Sequence, residues 1–307
     1  MRVLRGAPET WEAPEGGTAL AIGVFDGVHL GHRAVFAALA DVDGPVRGAL
    51  TFDPNPAAVL GGDPPPQLTT LERRIELIGE AGLDLVAVAT FDDELRRSSP
   101  EEFVRRHLVA GLDVRCVAVG AGFRFGHRAA GTTETLAELG ERYGFETRVV
   151  PILEIDGLPV RSSVIRELLA RGEVERAATL LGRPHEIEGT VVPGDGRGRT
   201  IGIPTANLSV TDRLAVPARG VYAVKVELAD GRRLGGVANV GVRPTFDGGD
   251  LVVEVHVFDL DEDLYGLALR VRWLARLRGE RRFPDVEALV RQIRRDVAVA
   301  RELVEGR

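Results

Sequence analysis

The chain has 307 residues, enough for two domains each with its own core, with 44% hydrophobic and 28% charged residues and a formal charge of −7. Its one cysteine, Cys116, excludes an internal disulfide and a cysteine-based metal cluster, and its one lysine, Lys225, follows no glycine-rich loop and so excludes a Walker A site. Net acidity with scattered arginines argues against a nucleic-acid partner, no apolar run nears the ~20 residues of a membrane span, and the N-terminus lacks a signal-peptide core, so the cytoplasm is expected.

From residue 18 to about 150, strand-like apolar runs alternate with helical patterns. Strands are expected at Thr18–Gly23, Val46–Phe52, Leu85–Thr90, Val114–Gly120 and Glu146–Val150, with Cys116 as buried filler in the fourth. Helix starts carry capping signals, Thr69 with Glu72 before Arg73–Ala81, and Ser99-Pro-Glu-Glu102 before Phe103–Leu108. Strand–helix alternation with short turns predicts an α/β domain with a doubly wound parallel sheet, whose ligands bind beyond the carboxyl ends of the strands.

At that edge lies Gly23-Val-Phe-Asp-Gly-Val-His-Leu-Gly-His32, between the first strand and an amphipathic stretch from Gly31 to Ala40. Strand, glycine-rich turn and helix start form an anion site, because unpaired backbone N–H groups and the positive helix end point at the turn. His29 and His32, three apart at the first helical turn, face the same bound group. Three further stretches meet the edge: Thr51-Phe-Asp-Pro-Asn-Pro56, Gly120-Ala-Gly-Phe-Arg-Phe-Gly126, and Ser162-Ser-Val-Ile-Arg166 opening a helix that Gly172 ends. Phe123 and Phe125 either stack on a planar ring or cap the core. Ser162, Ser163 and Arg166 suit a phosphate, though a plain N-cap explains the hydroxyls too.

After the helical Val174–Leu181 the pattern changes, and a boundary is expected at 182/183, giving domains 1–182 and 183–307. Glycine-separated runs at Glu186–Val192, Gly220–Leu228, Leu234–Val240, Leu251–Phe258 and Leu267–Leu274 predict an all-β antiparallel barrel or sandwich. Gly194, Gly196, Gly198 and Gly202 let backbone approach a phosphate, Arg197 and Arg199 add charge, and Pro204 stiffens the chain before Thr205 and Asn207. A hydroxyl and a carboxamide two apart on an extended segment point the same way and can share a hard cation. A glycine-rich hairpin explains the turn alone. Glu254, His256 and Phe258 share one side of their strand, opposite the valines. A closing helix runs from Val286 to Leu303, with Val286, Leu289, Val290, Ile293 and Val297 as an apolar stripe.

The string from Gly23 to His32 resembles the His-x-Gly-His motif of the nucleotidylyltransferases, and more closely that of the bacterial bifunctional riboflavin kinase/FAD synthetase family. Gly-Asp-Gly-Arg-Gly…Gly-Ile-Pro-Thr-Ala-Asn207 resembles the riboflavin kinase signature, and Gly236–Phe246 and Arg278–Phe283 resemble later family segments. The resemblance covers nearly the whole chain and implies a transferase that converts riboflavin to FMN in its C-terminal barrel and FMN to FAD in its N-terminal half. It implies His29 and His32 at the ATP phosphates, ATP contacts along Gly23, Phe25, Asp26, Gly31, Ser162, Ser163 and Arg166, and Phe52, Asn55, Phe123 and Phe125 at the flavin. In the barrel it implies Glu254 as general base, Gly194, Gly196, Arg197, Gly198, Gly202 and Pro204 around ATP, and Thr205 and Asn207 as ligands of Mg²⁺ carried with ATP. Arg278 and Phe283 are implied at a flavin that is substrate and product rather than resident cofactor. Riboflavin, FMN and ATP are the expected partners, without nucleic acid or membrane, and self-association is left open. The family pattern has histidine at Asn55, Asp or Asn at Gly122, and Thr or Arg at Val164. A kinase with an N-terminal scaffold, or a non-catalytic flavin-binding regulator, therefore stay open at this stage.

Overall fold

The computed structural model describes all residues but 60, 62, 195–197, 199–201, 212, 244–249 and 307, with Arg243 and Asp250 described by backbone alone. The chain forms two compact units, Met1–Pro65 with Thr70–Ser162, and Pro66–Thr69 with Ser163–Arg307. The Val174–Leu181 helix packs on strands of the second unit.

The first unit is built on strands β1 (Arg2–Gly6), β2 (Thr18–Ile22), β3 (Val46–Asp53), β4 (Leu85–Thr90), β5 (Val114–Gly120) and β6 (Glu146–Val150). They form one six-stranded sheet in the order β1-β4-β3-β2-β5-β6, parallel throughout, which is the doubly wound architecture expected. Every residue of β2 is buried. Its alternation divides two cores, Leu20 and Ile22 packing with Leu50 and Phe52 on one face, Ala19 and Ala21 with Ala49 and Phe36 on the other. Cys116 belongs to the second core, and burial pushes its thiol up to about 11, so it is inert filler. Chain order reverses at β2, which lies between β3 and β5, so Gly23 emerges at the switch point of the sheet. A small hairpin of β7 (Glu154–Ile155) and β8 (Leu158–Pro159) precedes the Ser162–Ala170 helix.

In the second unit β9 (His185–Val192), β10 (Ala206–Val210), β11 (Gly220–Leu228), β12 (Arg233–Arg243), β13 (Asp250–Val257) and β14 (Ala268–Arg278) close a barrel in the order β10-β13-β12-β11-β14-β9. All of its pairs are antiparallel. Closure removes the unpaired edges a sandwich would leave, and the interior is filled by alternating residues such as Val224, Val240, Val255 and the fully buried Trp273. The final helix, Val286–Glu305, is capped by Asp285 and lies on the outside of β11, β12 and β14. Its apolar face is not buried evenly along its length. Val297, Ala300, Leu303 and Val304 pack against Val221, Val237 and Phe258, whereas Val286 is 58% exposed.

Candidate functional site

In the first unit, the turn after β2 is held in a strained shape. Phe25 (φ 54°) and the β-branched Val28 (φ 39°) both occupy the left-handed region, and both side chains are buried. Three contacts fix it. Gly23 N–H donates to the Leu50 carbonyl at 3.1 Å, the Thr51 hydroxyl to the Val24 carbonyl at 2.9 Å, and the Ser162 hydroxyl to the Asp26 carbonyl at 2.9 Å. Gly23 is required, since a Cβ there would stand 2.9 Å from the Phe25 ring, and one at Gly31 would stand 3.0 Å from the Val160 carbonyl.

His29 caps the Leu30–Ala37 helix, its Nδ1 accepting from His32 N–H at 3.2 Å. That bond commits Nδ1 as acceptor, so Nε2 carries the proton of the neutral imidazole and is the donor that an anion can use. The two rings stack at 3.5 Å between centroids, and His32 meets the Phe25 edge at 5.3 Å. Beneath the turn lies Arg74, 2% exposed, donating to the Thr51 hydroxyl at 3.4 Å and the Phe52 carbonyl at 3.3 Å. Burial holds its guanidinium below the ordinary arginine value, while the charges of Asp26 and Asp53 act in the opposite sense. A buried arginine in a helix-period pattern reads as an error of phase, so the sequence gives no sign of this role.

The aromatic residues expected at the flavin differ in depth. Phe52 and Phe125 are core residues, 8% and 7% exposed, and Phe123 stacks on Phe125 at 5.4 Å from a half-buried position. Asn55 spends its side-chain oxygen on Ala57 N–H at 3.0 Å, starting the Pro56–Val59 turn of helix. Gly122 is exposed. Ser162 begins its helix, and Ser163 and Arg166 continue it within the second unit.

In the second unit, a cavity of about 470 Å³ opens between the outside of the barrel and the final helix. Gly198, Thr205, Asn207, Glu254, Arg278 and Phe283, all singled out in the sequence, line it together. Register explains the convergence. Asn207 on β10 and Asn239 on β12 both pair directly with Glu254 on β13, so carboxamide, carboxylate and carboxamide form one row across three strands. Asn239 Nδ2 lies 3.4 Å from Glu254 Oε2. Gly194 and Gly198 owe their identity to this site. A Cβ at Gly194 would overlap the Asn207 carboxamide, and one at Gly198 the Ile203 carbonyl, with Thr205 Oγ1 3.1 Å away. Gly202, φ 73°, turns the chain into Pro204. Gly196, Arg197 and Arg199 lie outside the described residues.

The far wall comes from the last strand and helix. Arg278 donates to Asp296 through Nε at 2.9 Å and Nη2 at 2.8 Å, Gln292 supports the same carboxylate at 2.9 Å, and the guanidinium lies 5.7 Å from the Phe283 ring centroid. Leu289 and Ile293 of the helical stripe add apolar wall. One end of the cavity is therefore oxygen-rich and the other aromatic and apolar, which suits a planar ring system with a hydroxylated tail brought against a phosphate. Asn239, His256 and Asp296 were not assigned to the site from sequence. Alternation from Glu254 reaches His256, but the pairing of Asn239 with Glu254 is set by barrel register, which no local pattern carries.

A parallel sheet with a histidine-bearing anion turn at its switch point, and a closed barrel with a carboxylate beside a glycine loop, together define a two-unit phosphate-group transferase. A riboflavin kinase family model matches residues 181–304 and an FAD synthetase model residues 12–164. The bifunctional riboflavin kinase/FMN adenylyltransferase of Escherichia coli (strain K12) is 38% identical over 98% of this chain and 97% of its own. That of Pseudomonas fluorescens is 40% identical over 94% and 93%. A crystal structure described as a macrolide-efflux protein from Streptococcus pneumoniae superposes with a TM-score of 0.89 at 30% identity, over 98% of this chain and 99% of that one. The efflux description belongs to that protein. Among the described residues here, no helix is long and apolar enough to cross a membrane. This chain belongs to the bifunctional riboflavin kinase/FMN adenylyltransferase family. A match to both family models leaves a lone kinase on a scaffold, or a non-catalytic regulator, without support.

Proposed function

We propose that the barrel cavity transfers the γ-phosphoryl group of ATP to riboflavin, and that the turn at the switch point of the sheet serves adenylylation of the FMN produced. In the first reaction Glu254 takes the proton of the ribityl 5′-hydroxyl as its oxygen bonds to phosphorus and ADP leaves. The observation that carries this is the Asn207–Glu254–Asn239 row beside Thr205 in one cavity. Asn239 donates to the carboxylate at 3.4 Å, backbone register sets Asn207 beside it, and the glycines at 194 and 198 leave the loop close enough to hold phosphates. Arg278 and Phe283 take the flavin end.

The donor set at the phosphate end is a hydroxyl and a carboxamide, hard oxygens suited to Mg²⁺ rather than to a softer metal. Thr205 and Asn207 would hold the ion where it rides on the nucleotide, and it would supply the positive charge that no P-loop lysine provides here. In the second reaction the FMN phosphate attacks the α-phosphorus of ATP and pyrophosphate leaves. Donation from His29 Nε2 and from His32 neutralises charge on those phosphates, and positioning does the rest, without a covalent intermediate. Family resemblance assigns Ser162, Ser163 and Arg166 to the triphosphate, and the change of sequence pattern after Leu181 puts the boundary between the halves at 182/183.

Two variants test the assignment on one chromatogram of flavins. Glu254→Gln is expected to slow FMN formation by about a hundredfold or more while FMN supplied from outside still becomes FAD. His32→Ala is expected to do the reverse and stall the sequence at FMN. Phosphorylation at the wild-type rate by Glu254→Gln would refute the base, and a wild-type FAD yield from His32→Ala would refute the first site.

A further inference from the structure

We infer that His256 is a positioning residue of the kinase site, a clasp that holds the Pro204–Thr205 segment against the strand carrying Glu254. The inference rests on the assignment of Thr205, Asn207 and Glu254 to phosphoryl transfer. His256 lies two residues after Glu254 on β13, on the same face and lining the same cavity, while Val253, Val255 and Val257 are buried on the opposite face. Its Nδ1 is 2.8 Å from the Pro204 carbonyl oxygen, 52 positions away in sequence. A carbonyl can only accept, so Nδ1 carries the proton and donates it.

The need for this bond follows from where the ladder stops. β10 pairs with β13 through Leu208↔Val253, Asn207↔Glu254 and Ala206↔Val255, and the pairing ends there. Continued by one step, the register would set Thr205 opposite His256, and by two, Pro204, which has no N–H to offer. Thr205 is exposed and lies in this unladdered stretch. Backbone pairing therefore fixes Asn207 relative to Glu254 but leaves Thr205 without such support. The bond from His256 to Pro204 supplies an anchor on the other side of Thr205, so that both oxygen donors keep their distance from the base. His256 neither accepts the substrate proton nor enters the cation's donor set in this reading.

The test uses the full chain and compares wild type with His256→Ala and His256→Asn, the latter because an asparagine amide N–H stands near the Nδ1–H of histidine. Riboflavin phosphorylation is measured across Mg²⁺ and ATP concentrations. Separately, the upward shift in barrel melting caused by MgADP is followed through Trp273 in a Trp11→Phe background. His256→Ala is expected to raise half-saturation for Mg²⁺ and ATP by about tenfold, to reduce the MgADP shift, and to leave kcat at saturation within about threefold. His256→Asn is expected to recover most of both effects. Unchanged half-saturation in His256→Ala would overturn the inference. So would equal impairment of the alanine and asparagine variants, or a fall in kcat alone that follows barrel melting. Glu254→Gln run alongside keeps the two readings apart, because its normal turnover would remove the base while His256 is judged on half-saturation and the MgADP shift.

Discussion

At Gly194 the space a Cβ would fill is already taken by the Asn207 carboxamide. Any side chain there must push Asn207 out of its row with Glu254 or move the loop away from β10. A displacement near 1 Å at a positioning group costs about a hundredfold in rate, so Gly194→Ala is expected to lower riboflavin phosphorylation by about that factor. FMN-to-FAD conversion should continue unchanged, because the strained turn at Phe25 and Val28 belongs to the other unit. An alanine variant with an unaltered phosphorylation rate would show that Asn207 is not held by this contact. The glycine is visible in the sequence, and freedom to approach a phosphate is the natural reading of it. The reason supplied by the fold is different, an approach to a side chain of the protein itself. Phe52 and Phe125 show the converse. Aromatics at strand ends look like a ligand platform, and the fold adds that these two rings belong to the core under the edge.

At the scale of elements, legibility follows how much of the burial pattern is local. β2, β4 and β5 read clearly because strands buried on both faces are nearly uninterrupted apolar runs. β1 does not, since its pattern exposes all but Leu4 and its hydrogen bonds come from β4, a partner about eighty residues on by register. β10 is missed for another reason. Its five residues follow a proline and a glycine loop, and only Asn207 and Leu208 are buried, so the strand exists through pairing to β9 and β13 rather than through its own pattern. Capping shows the limit of ±1 precision. Thr70, not Thr69, accepts from Arg73 N–H at 3.2 Å, and Thr69 is buried instead. The Ser99–Glu102 box forms as the spacing predicts, with both reciprocal bonds, but the helix it starts continues into wider i→i+5 turns from Val104 to Ala110. The final helix is legible as a helix, and its apolar stripe serves two surfaces. Residues at its start, Leu289 and Ile293, line the cavity, and those near its end cover the barrel.

For the molecule as a whole, acid sensitivity is expected from His107 and His185, buried histidines of the first and second unit, each beside the single tryptophan of its unit. His107 packs edge-on to Trp11 at 6.0 Å between centroids, and His185 pairs across the ladder with Trp273 while its Nε2–H donates to the Ala215 carbonyl at 2.7 Å. Burial pulls both imidazoles down to about 4, against an ordinary value of 6.5. The unfolded chain therefore binds these protons before the folded one does. Stability attributable to each histidine is complete above pH 6.5 and is lost as pH falls toward 4. From neutrality to pH 5 the loss is about 2 kcal/mol per unit, a large part of the 5–15 kcal/mol that holds a domain. Asp259, Glu262 and Glu101 do not compete in this window, because Arg301, Arg232, and Tyr143 with Arg142, respectively, hold them below their ordinary values. His185→Gln keeps a donor for the Ala215 carbonyl and removes the titration. Urea unfolding of the barrel, read from Trp273 in a Trp11→Phe background, is expected to weaken between pH 7 and pH 5 in the parent and to stay nearly level in His185→Gln. The first unit, read from Trp11 in a Trp273→Phe background, should keep its full acid sensitivity with His185→Gln present. An equally steep loss in the barrel with and without His185 would assign the effect to the ion pairs instead.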